Sequence, residues 1–396
     1  MRNGGARAQL LRPIPVGVSV YTAADDSIPD FAAGDKHLRR QRGSGKAMAK
    51  DRGITDLIRQ NPLEAALFGL AIGAGVLTAA MRSSKTLDLN GRVVLLTGGS
   101  RGLGLELARH LARHGCRLIL VARDELELDR AVAELRAAGA VVQKLACDLT
   151  KPEDIDTMTV EALKIFGRVD ILINDAGVIS VGPIDSVRQS DFRHAMELMF
   201  WGPVRTTLAL LPHFLSSGDA DIVNISSIGG KIAVPHLLPY SSAKFAMTGF
   251  SEGLQSELRG RGVHVLTVTP GLMRTGSHVN AEFTGNREGE YRWFALGATL
   301  PGISMDVSRA AAQIVAALQR RERELALTGI ARAAIQFHGV FPGLTLRMLE
   351  LANSLLLPAP SRDSTVAKGK ELHHKQSRAV QILTGLGSSA AASQNE

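Results

Sequence analysis

Residues 92–115 read RVVLLTGGSRGLGLELARHLARHG, and the order of elements in this run decides the fold. The β-branched, apolar stretch RVVLLT has strand character. A glycine-rich turn, Gly98-Gly99-Ser100-Arg101-Gly102-Leu103-Gly104, follows at once and opens the helical segment LELARHLARHG. Glycines let a backbone approach a pyrophosphate closely, and the helix N-terminus offers free N–H groups and the positive end of its dipole. A glycine-rich loop alone is a weak signal; between a strand and a helix, as the first element of a βαβ unit, it points to a dinucleotide.

Outward from this unit, RLILVA, VVQKLA, VDILIN, DIVNIS and VHVLTV repeat the same texture of short apolar runs separated by longer segments of helical period. Their apolarity is continuous rather than alternating, as in strands covered on both faces. The fold class is therefore α/β: a doubly wound parallel sheet (Rossmann fold) over residues 88–330, forming a single catalytic domain with N- and C-terminal extensions.

The second strand ends in Ala122 where an acidic residue would bind an adenosine ribose, and Arg123 follows. Arg101 and Arg123 can converge there on a 2′-phosphate, so NADP(H) is expected over NAD(H).

Further on, residues 224–244 read NISSIGGKIAVPHLLPYSSAK and hold a hydroxyl, a phenol and an amine: Ser227, Tyr240 and Lys244. On one helix, Tyr240 and Lys244 lie at i, i+4 on the same face, so an ammonium can stabilise the phenolate and lower the phenol pKa toward neutrality. Taken alone, such a pair recurs by chance on many helix surfaces; the glycine-rich unit upstream gives it meaning.

Together these motifs resemble the short-chain dehydrogenase/reductase family over residues 91 to about 325. The match comprises TGGSRGLG, Asp148-Leu149 after the third strand, Asn174-Asp175-Ala176-Gly177, Ser227 thirteen residues before Tyr240, YSSAK, and Pro270-Gly271 after the sixth strand. The resemblance implies that Ser227, Tyr240 and Lys244 are catalytic and that Gly98, Ser100, Arg101, Gly102, Leu103 and Gly104 cradle the dinucleotide beside Arg123. It implies that Asp148 and Leu149 contact the adenine, that Asn174, Ala176 and Gly177 line the cleft, and that Pro270, Gly271, Met273 and Thr275 face the nicotinamide. The implied chemistry is hydride transfer from the cofactor to a carbonyl carbon, or the reverse. Tyr240 serves as acid or base, Ser227 holds the oxygen, and Lys244 grips the ribose.

Two departures stand out. Asp175 replaces the second asparagine of the family's NNAG and loses an amide donor. In LMFWGPV, Met199 occupies the place of the tetrad asparagine, and a thioether cannot donate a hydrogen bond. A working reductase with another proton route, a catalytically impaired NADP-binding sensor or interaction protein, and an isomerase, dehydratase or epimerase on the same scaffold all remain compatible with that substitution. The segment after Pro270-Gly271 carries Tyr291, Trp293, Phe294 and Leu296, an aromatic lid suited to a lipophilic ketone, aldehyde or secondary alcohol, or to packing and subunit contact. Helices near 190–217 and 238–260 resemble the family's dimer-forming pair and imply a homo-oligomer.

The 396 residues, 45% hydrophobic, leave material for extensions at both ends of one large domain. Eleven of the Lys and Arg residues behind the net charge of +8 fall in the first sixty positions, where composition predicts a disordered basic extension. No nucleic-acid motif is present. Met48 is a candidate alternative start. Residues 61–84 contain AALFGLAIGAGVLTAAM, a charge-free run of seventeen with a Gly69/Gly73 GxxxG. At about 1.5 Å per residue it falls just short of a bilayer core, so a membrane anchor and a packed helix are both open, as are cytoplasmic and membrane-associated (residues 63–81) locations. Cys116 and Cys147 lack metal or redox spacing and read as reduced, buried thiols; His110 and His114 have no third ligand, so no metal is expected. Residues 331–360 read as an apolar helical extension that caps the core, covers the cleft or touches a membrane, and 361–396 as a disordered polar tail.

Overall fold

The computed structural model describes residues 86–299, 304–384, 387, 390–391 and 393–396. The basic extension, the Met48 start and the hydrophobic segment of residues 61–84 lie outside the described residues, and with them the expectations of disorder and of a membrane anchor.

Seven strands make one sheet: β1 (Val93–Thr97), β2 (Arg117–Ala122), β3 (Val141–Ala146), β4 (Ile171–Asn174), β5 (Ala220–Ile225), β6 (Val263–Thr269) and β7 (Glu324–Ala326). Their order is β3-β2-β1-β4-β5-β6-β7, and every neighbouring pair is parallel. The continuous apolarity of the strands follows from two cores, one on each face. Val94 and Leu96 of β1 face one core, with Leu105 and Leu107 of helix α1 (Gly102–Arg113), Leu128 of α2 (Glu125–Ala137) and Ile314 of a later helix, Val307–Gln319. Val93 and Leu95 face the other, with Ile155 of α3 (Pro152–Phe166), Leu210 of α4 (Gly202–Ser217) and Leu254 of α5 (Leu238–Glu257). Each such buried aliphatic side chain contributes about 1.5–3 kcal/mol relative to exposure, which is why a polar residue in β1 would be costly on either face. At the sheet edge β3 leaves Val141 exposed and carries Gln143 and Lys144, as an edge strand should.

Chain connections leave β1 toward opposite sides of the sheet, so Thr97 pairs with Val121 of β2 on one side and Asn174 of β4 on the other. A crevice opens at the carboxyl ends of these strands, the place where such sheets bind ligands. Over it lies α6 (Arg287–Thr299). Next in chain order come the core helix α7 (Val307–Gln319), then α8 (Gly329–Val340) and α9 (Pro342–Leu356).

Two features at the C-terminal side bear on the expectations for residues 331–360 and 361–396. Helices α8 and α9 do not cap the core: Leu344, Met348, Leu351, Leu355 and Leu356 are exposed, the last two by 70% and 74%. The described residues after Ser361, expected as a disordered tail, include regular structure. Ala367–Lys368 pairs antiparallel with Glu282–Phe283, and the helix Gly369–His373 buries Leu372 against the lid. The tail's few apolar residues are too widely spaced to register in composition, yet Ala367, Leu372 and Val380 are buried. No helix among the described residues is long and apolar enough to cross a membrane.

Candidate functional site

Ser227 follows β5 and caps the 3-10 turn Ile228–Gly230, its Oγ accepting the Gly229 N–H at 3.0 Å. The chain then returns as α5, whose first turn carries Tyr240 and whose second carries Lys244. One turn of helix puts the Lys244 Nζ 5.8 Å from the centroid of the Tyr240 ring, while that ammonium donates to the Ile225 carbonyl at 2.7 Å. Tyr240 hydrogen-bonds Ser227. The three side chains thus meet in one cleft of about 740 Å³, whose walls also include the glycine-rich turn.

The phenol is not tuned as the i, i+4 spacing predicts. Burial pushes the Tyr240 pKa above its ordinary value, the Asp175 charge adds to this, and the Ser227 hydrogen bond only opposes it. Lys244 contributes no lowering. Its ammonium is held by the Ile225 carbonyl and faces Asp175, and burial drives its own pKa down. Asp175, read in the sequence only as a lost donor, is a half-buried carboxyl group on the cleft wall facing Lys244. Burial raises its pKa, Lys244 opposes that rise, and the Gly104 N–H donates to it.

Gly98 has φ +76 and would place a Cβ 2.8 Å from the Ala176 nitrogen, so the turn can lie against the Asp175-Ala176-Gly177 segment only with glycine there. Gly104 is equally constrained, since a Cβ would fall 2.1 Å from the Gly98 carbonyl oxygen.

Of the residues expected in the cofactor site, Gly98, Ser100, Arg101, Gly102, Leu103, Arg123, Asp148, Leu149, Ala176 and Gly177 line the cleft, as do Pro270, Gly271, Met273 and Thr275. Gly104 and Asn174 do not. Gly104 packs beneath the turn, and Asn174 is spent inside the sheet, donating to Asn224 Oδ1 at 2.9 Å. Arg101 and Arg123 do not converge freely either, because Arg101 pairs with Glu127 at 3.1 Å. Arg123 makes no salt bridge among the described residues, and its charge lowers the Asp148 pKa together with hydrogen bonds from Thr150.

Met199 lies in a π-helical turn, Glu197–Trp201, buried beside Ala243 and Tyr240. Its Sδ is 3.5 Å from where a Cβ on Gly177 would sit, so a thioether fills the space between the loop and the phenol. Cys116 and Cys147 are buried free thiols, both pushed up to about 12 by burial.

On the other side of the phenol the cleft is walled by Ile179, Val234, Leu237, Leu272, Trp293 and Phe294. Tyr291 and Leu296, expected in the lid, are not on this wall. Tyr291 packs on Phe283 and shares a hydrogen bond with His373 at 2.9 Å. A network that sequence reading missed holds the lid. Glu290, 0% exposed, takes the His236 imidazole at 2.8 Å and the Trp293 indole N–H at 2.7 Å. His236 adopts φ 61, unusual for a residue with a Cβ, four positions before Tyr240. No sequence signal marked this network, since Glu290 stands among Arg287, Glu288 and Arg292 at the start of α6.

Comparison with known proteins agrees with this geometry. A family profile described as short chain dehydrogenase matches residues 92–284. A "Dehydrogenase/reductase SDR family member 7B" of Danio rerio is 33% identical over 297 residues, covering 73% of this chain and 93% of that protein. A short-chain dehydrogenase from Streptomyces avermitilis, solved by crystallography, is 32% identical with a TM-score of 0.57, covering 67% of this chain and 99% of that one. An actinorhodin polyketide ketoreductase solved with NADPH is 29% identical with a TM-score of 0.54, covering 60% and 96%.

Proposed function

The chain belongs to the short-chain dehydrogenase/reductase family, and from that premise we propose that it is an NADP(H)-dependent oxidoreductase that reduces a carbonyl of a lipophilic substrate, Tyr240 acting as the proton donor. The observation that carries this reading is the meeting of Ser227, Tyr240 and Lys244 with the glycine-rich turn in one cleft.

The cradle fits a dinucleotide by its own chemistry. An anion already rests at the first turn of α1, the Glu396 carboxylate, whose Oε1 is 2.9 Å from where a Cβ on Gly102 would be. Gly98, Ser100, Arg101 and Gly102 would hold the phosphates, Asp148 and Leu149 the adenine end, and Lys244 the ribose beside the nicotinamide. When bound, the cofactor supplies or accepts hydride. Arg123, exposed at the end of β2 with Ala122 before it, favours the 2′-phosphate.

Tyr240 is the group that moves a proton. The phenol is protonated at neutral pH, as donation to a carbonyl oxygen requires. Ser227, bonded to the phenol, orients that oxygen. Ile179, Leu237, Trp293 and Phe294 exclude water and select apolar substituents. Exposed Trp201, Leu208 and Phe245, on or beside α4 and α5, support a homo-oligomer, and the apolar outer face of α8 and α9 supports membrane association. Tyr240→Phe tests the assignment: with NADPH and a panel of aldehydes, ketones, quinones and steroids, turnover should vanish while dinucleotide binding persists. Retained turnover refutes the proton donor.

A second reading rests on Met199. With a thioether packed against the phenol, no side chain at that position can pass protons toward Lys244, as an impaired, NADP-binding sensor would show. Met199→Asn separates the two readings: a large rise in turnover supports the impaired site, whereas little change supports a reductase with another proton route.

A further inference from the structure

The residues that close the described chain do not trail into solvent; they enter the cleft. The Gly102 N–H, the group at the start of α1 best placed to bind a phosphate, donates to the Gln394 carbonyl at 2.9 Å. Asn395, in the left-handed backbone region at φ 59, donates through Nδ2 to the Ser100 carbonyl at 2.8 Å and the Glu127 carbonyl at 3.1 Å. Its Oδ1 accepts from Arg130 Nε at 2.6 Å. Gln394 is clasped by Arg109 at 3.0 Å and donates to Glu106 at 3.2 Å. These contacts deliver the Glu396 side chain, 6% exposed, to Asn280 Nδ2 at 2.5 Å and Arg101 Nε at 3.6 Å.

We propose that the phosphate cradle is a two-ligand site, taken in competition by the dinucleotide and by this chain's own segment 393–396, with the Glu396 carboxylate standing in for a phosphate. The inference rests on the reading of the cleft as a dinucleotide site. It follows from chemistry that the two occupants share: an anion at a helix N-terminus, a cation in Arg101, and backbone N–H groups that only one occupant can use at a time. The segment therefore acts as an internal, acidic peptide ligand, and the cofactor's apparent affinity is its intrinsic affinity multiplied by the fraction of chains in which the cradle is open. Burial raises the Glu396 pKa while Arg101 and Asn280 oppose the rise, so the carboxylate is retained by these partners rather than by solvent.

The test is NADPH binding, read by nicotinamide fluorescence, to the full chain and to Asn395→Ala, Glu396→Gln and Arg130→Ala. Removing one anchoring hydrogen bond should shift the open fraction by about three- to tenfold and tighten NADPH by the same factor. Arg130→Ala decides between competition and simple electrostatics. Deleting a cation near the cleft weakens a dinucleotide by charge alone, whereas releasing Asn395 tightens it. Hydrogen exchange gives an independent measure, since saturating NADPH should expose the amides of residues 393–396. Tighter binding in all three variants together with that exposure supports the proposal. Equal binding in wild type and variants, or weaker binding in Arg130→Ala, overturns competition while leaving the dinucleotide reading intact. Absence of NADPH binding in every protein, while NADH binding is retained, overturns the choice of nucleotide, and the same comparison then decides competition with NADH. Absence of both overturns the dinucleotide reading and the competition with it.

Discussion

Lowering the pH from 7 to 5 should cost the folded domain about 2 kcal/mol through one side chain, His278. This imidazole is 1% exposed and its Nε2 has no hydrogen-bond partner among the described residues. Burial, with the neighbouring His373 adding to it, drives its pKa from 6.5 down to about 4. The folded protein therefore keeps the ring neutral where the unfolded chain takes up a proton. Its stability is intact above the unfolded value and is lost as pH falls between the two. At pH 5 the unfolded imidazole is about 97% protonated and the folded one about 10%, and the ratio of the two binding polynomials gives the figure above. The loss should appear in the segment that rests on this ring. A Cβ on Gly387 would lie 2.8 Å from His278 Cε1, and Gly369 packs on the His278 carbonyl. Equilibrium urea unfolding at pH 7 and pH 5 measures it, with His278→Phe as the comparison, a ring of similar shape that cannot titrate and leaves no polar atom unpaired. Wild type should lose about 2 kcal/mol more than the variant over this interval. Equal losses would show that His278 is hydrated or paired in solution and would refute the assignment of the pH dependence to this ring.

Removing the lid carboxylate by Glu290→Ala leaves the buried His236 and Trp293 donors without their acceptor and should cost about 2–4 kcal/mol, read by chemical denaturation, with a shift in Trp293 fluorescence in a Trp201→Phe background; Glu290→Gln should recover part of both. Arg123→Ala should raise KM for NADPH by about tenfold or more and leave KM for NADH nearly unchanged, in steady-state assays of the two cofactors side by side; equal effects on both would remove Arg123 from the 2′-phosphate site.

Much of the fold was legible because it is dictated locally. RVVLLT followed by GGSRGLG admits few alternatives: β-branched residues with no polar face must be covered on both sides, and glycines at 98 and 104 are required where the backbone runs within contact of itself. The i, i+4 spacing likewise fixed that Tyr240 and Lys244 share a helix face. What the spacing could not supply was the balance of burial against charge at that face. A phenol predicted to be lowered by its neighbouring cation is raised, because burial and the Asp175 charge outweigh the Ser227 hydrogen bond.

The long-range contacts were invisible for a related reason. Glu290 reads as an ordinary helix glutamate until His236 and Trp293 are brought to it from 54 positions and one turn away. Glu396, in a stretch composed of Ala, Ser, Gln and Asn, has no periodicity to mark it, and only tertiary packing sets it beside Arg101 and Asn280. Sequence by itself determined the parallel sheet, the glycine-rich turn and the Ser227, Tyr240 and Lys244 set, since steric and hydrophobic constraints of short range leave little choice there. Tertiary structure alone decided which charges are desolvated, which glutamate holds the lid and what occupies the cradle, because burial and pairing are properties of residues that meet only once the chain has closed upon itself.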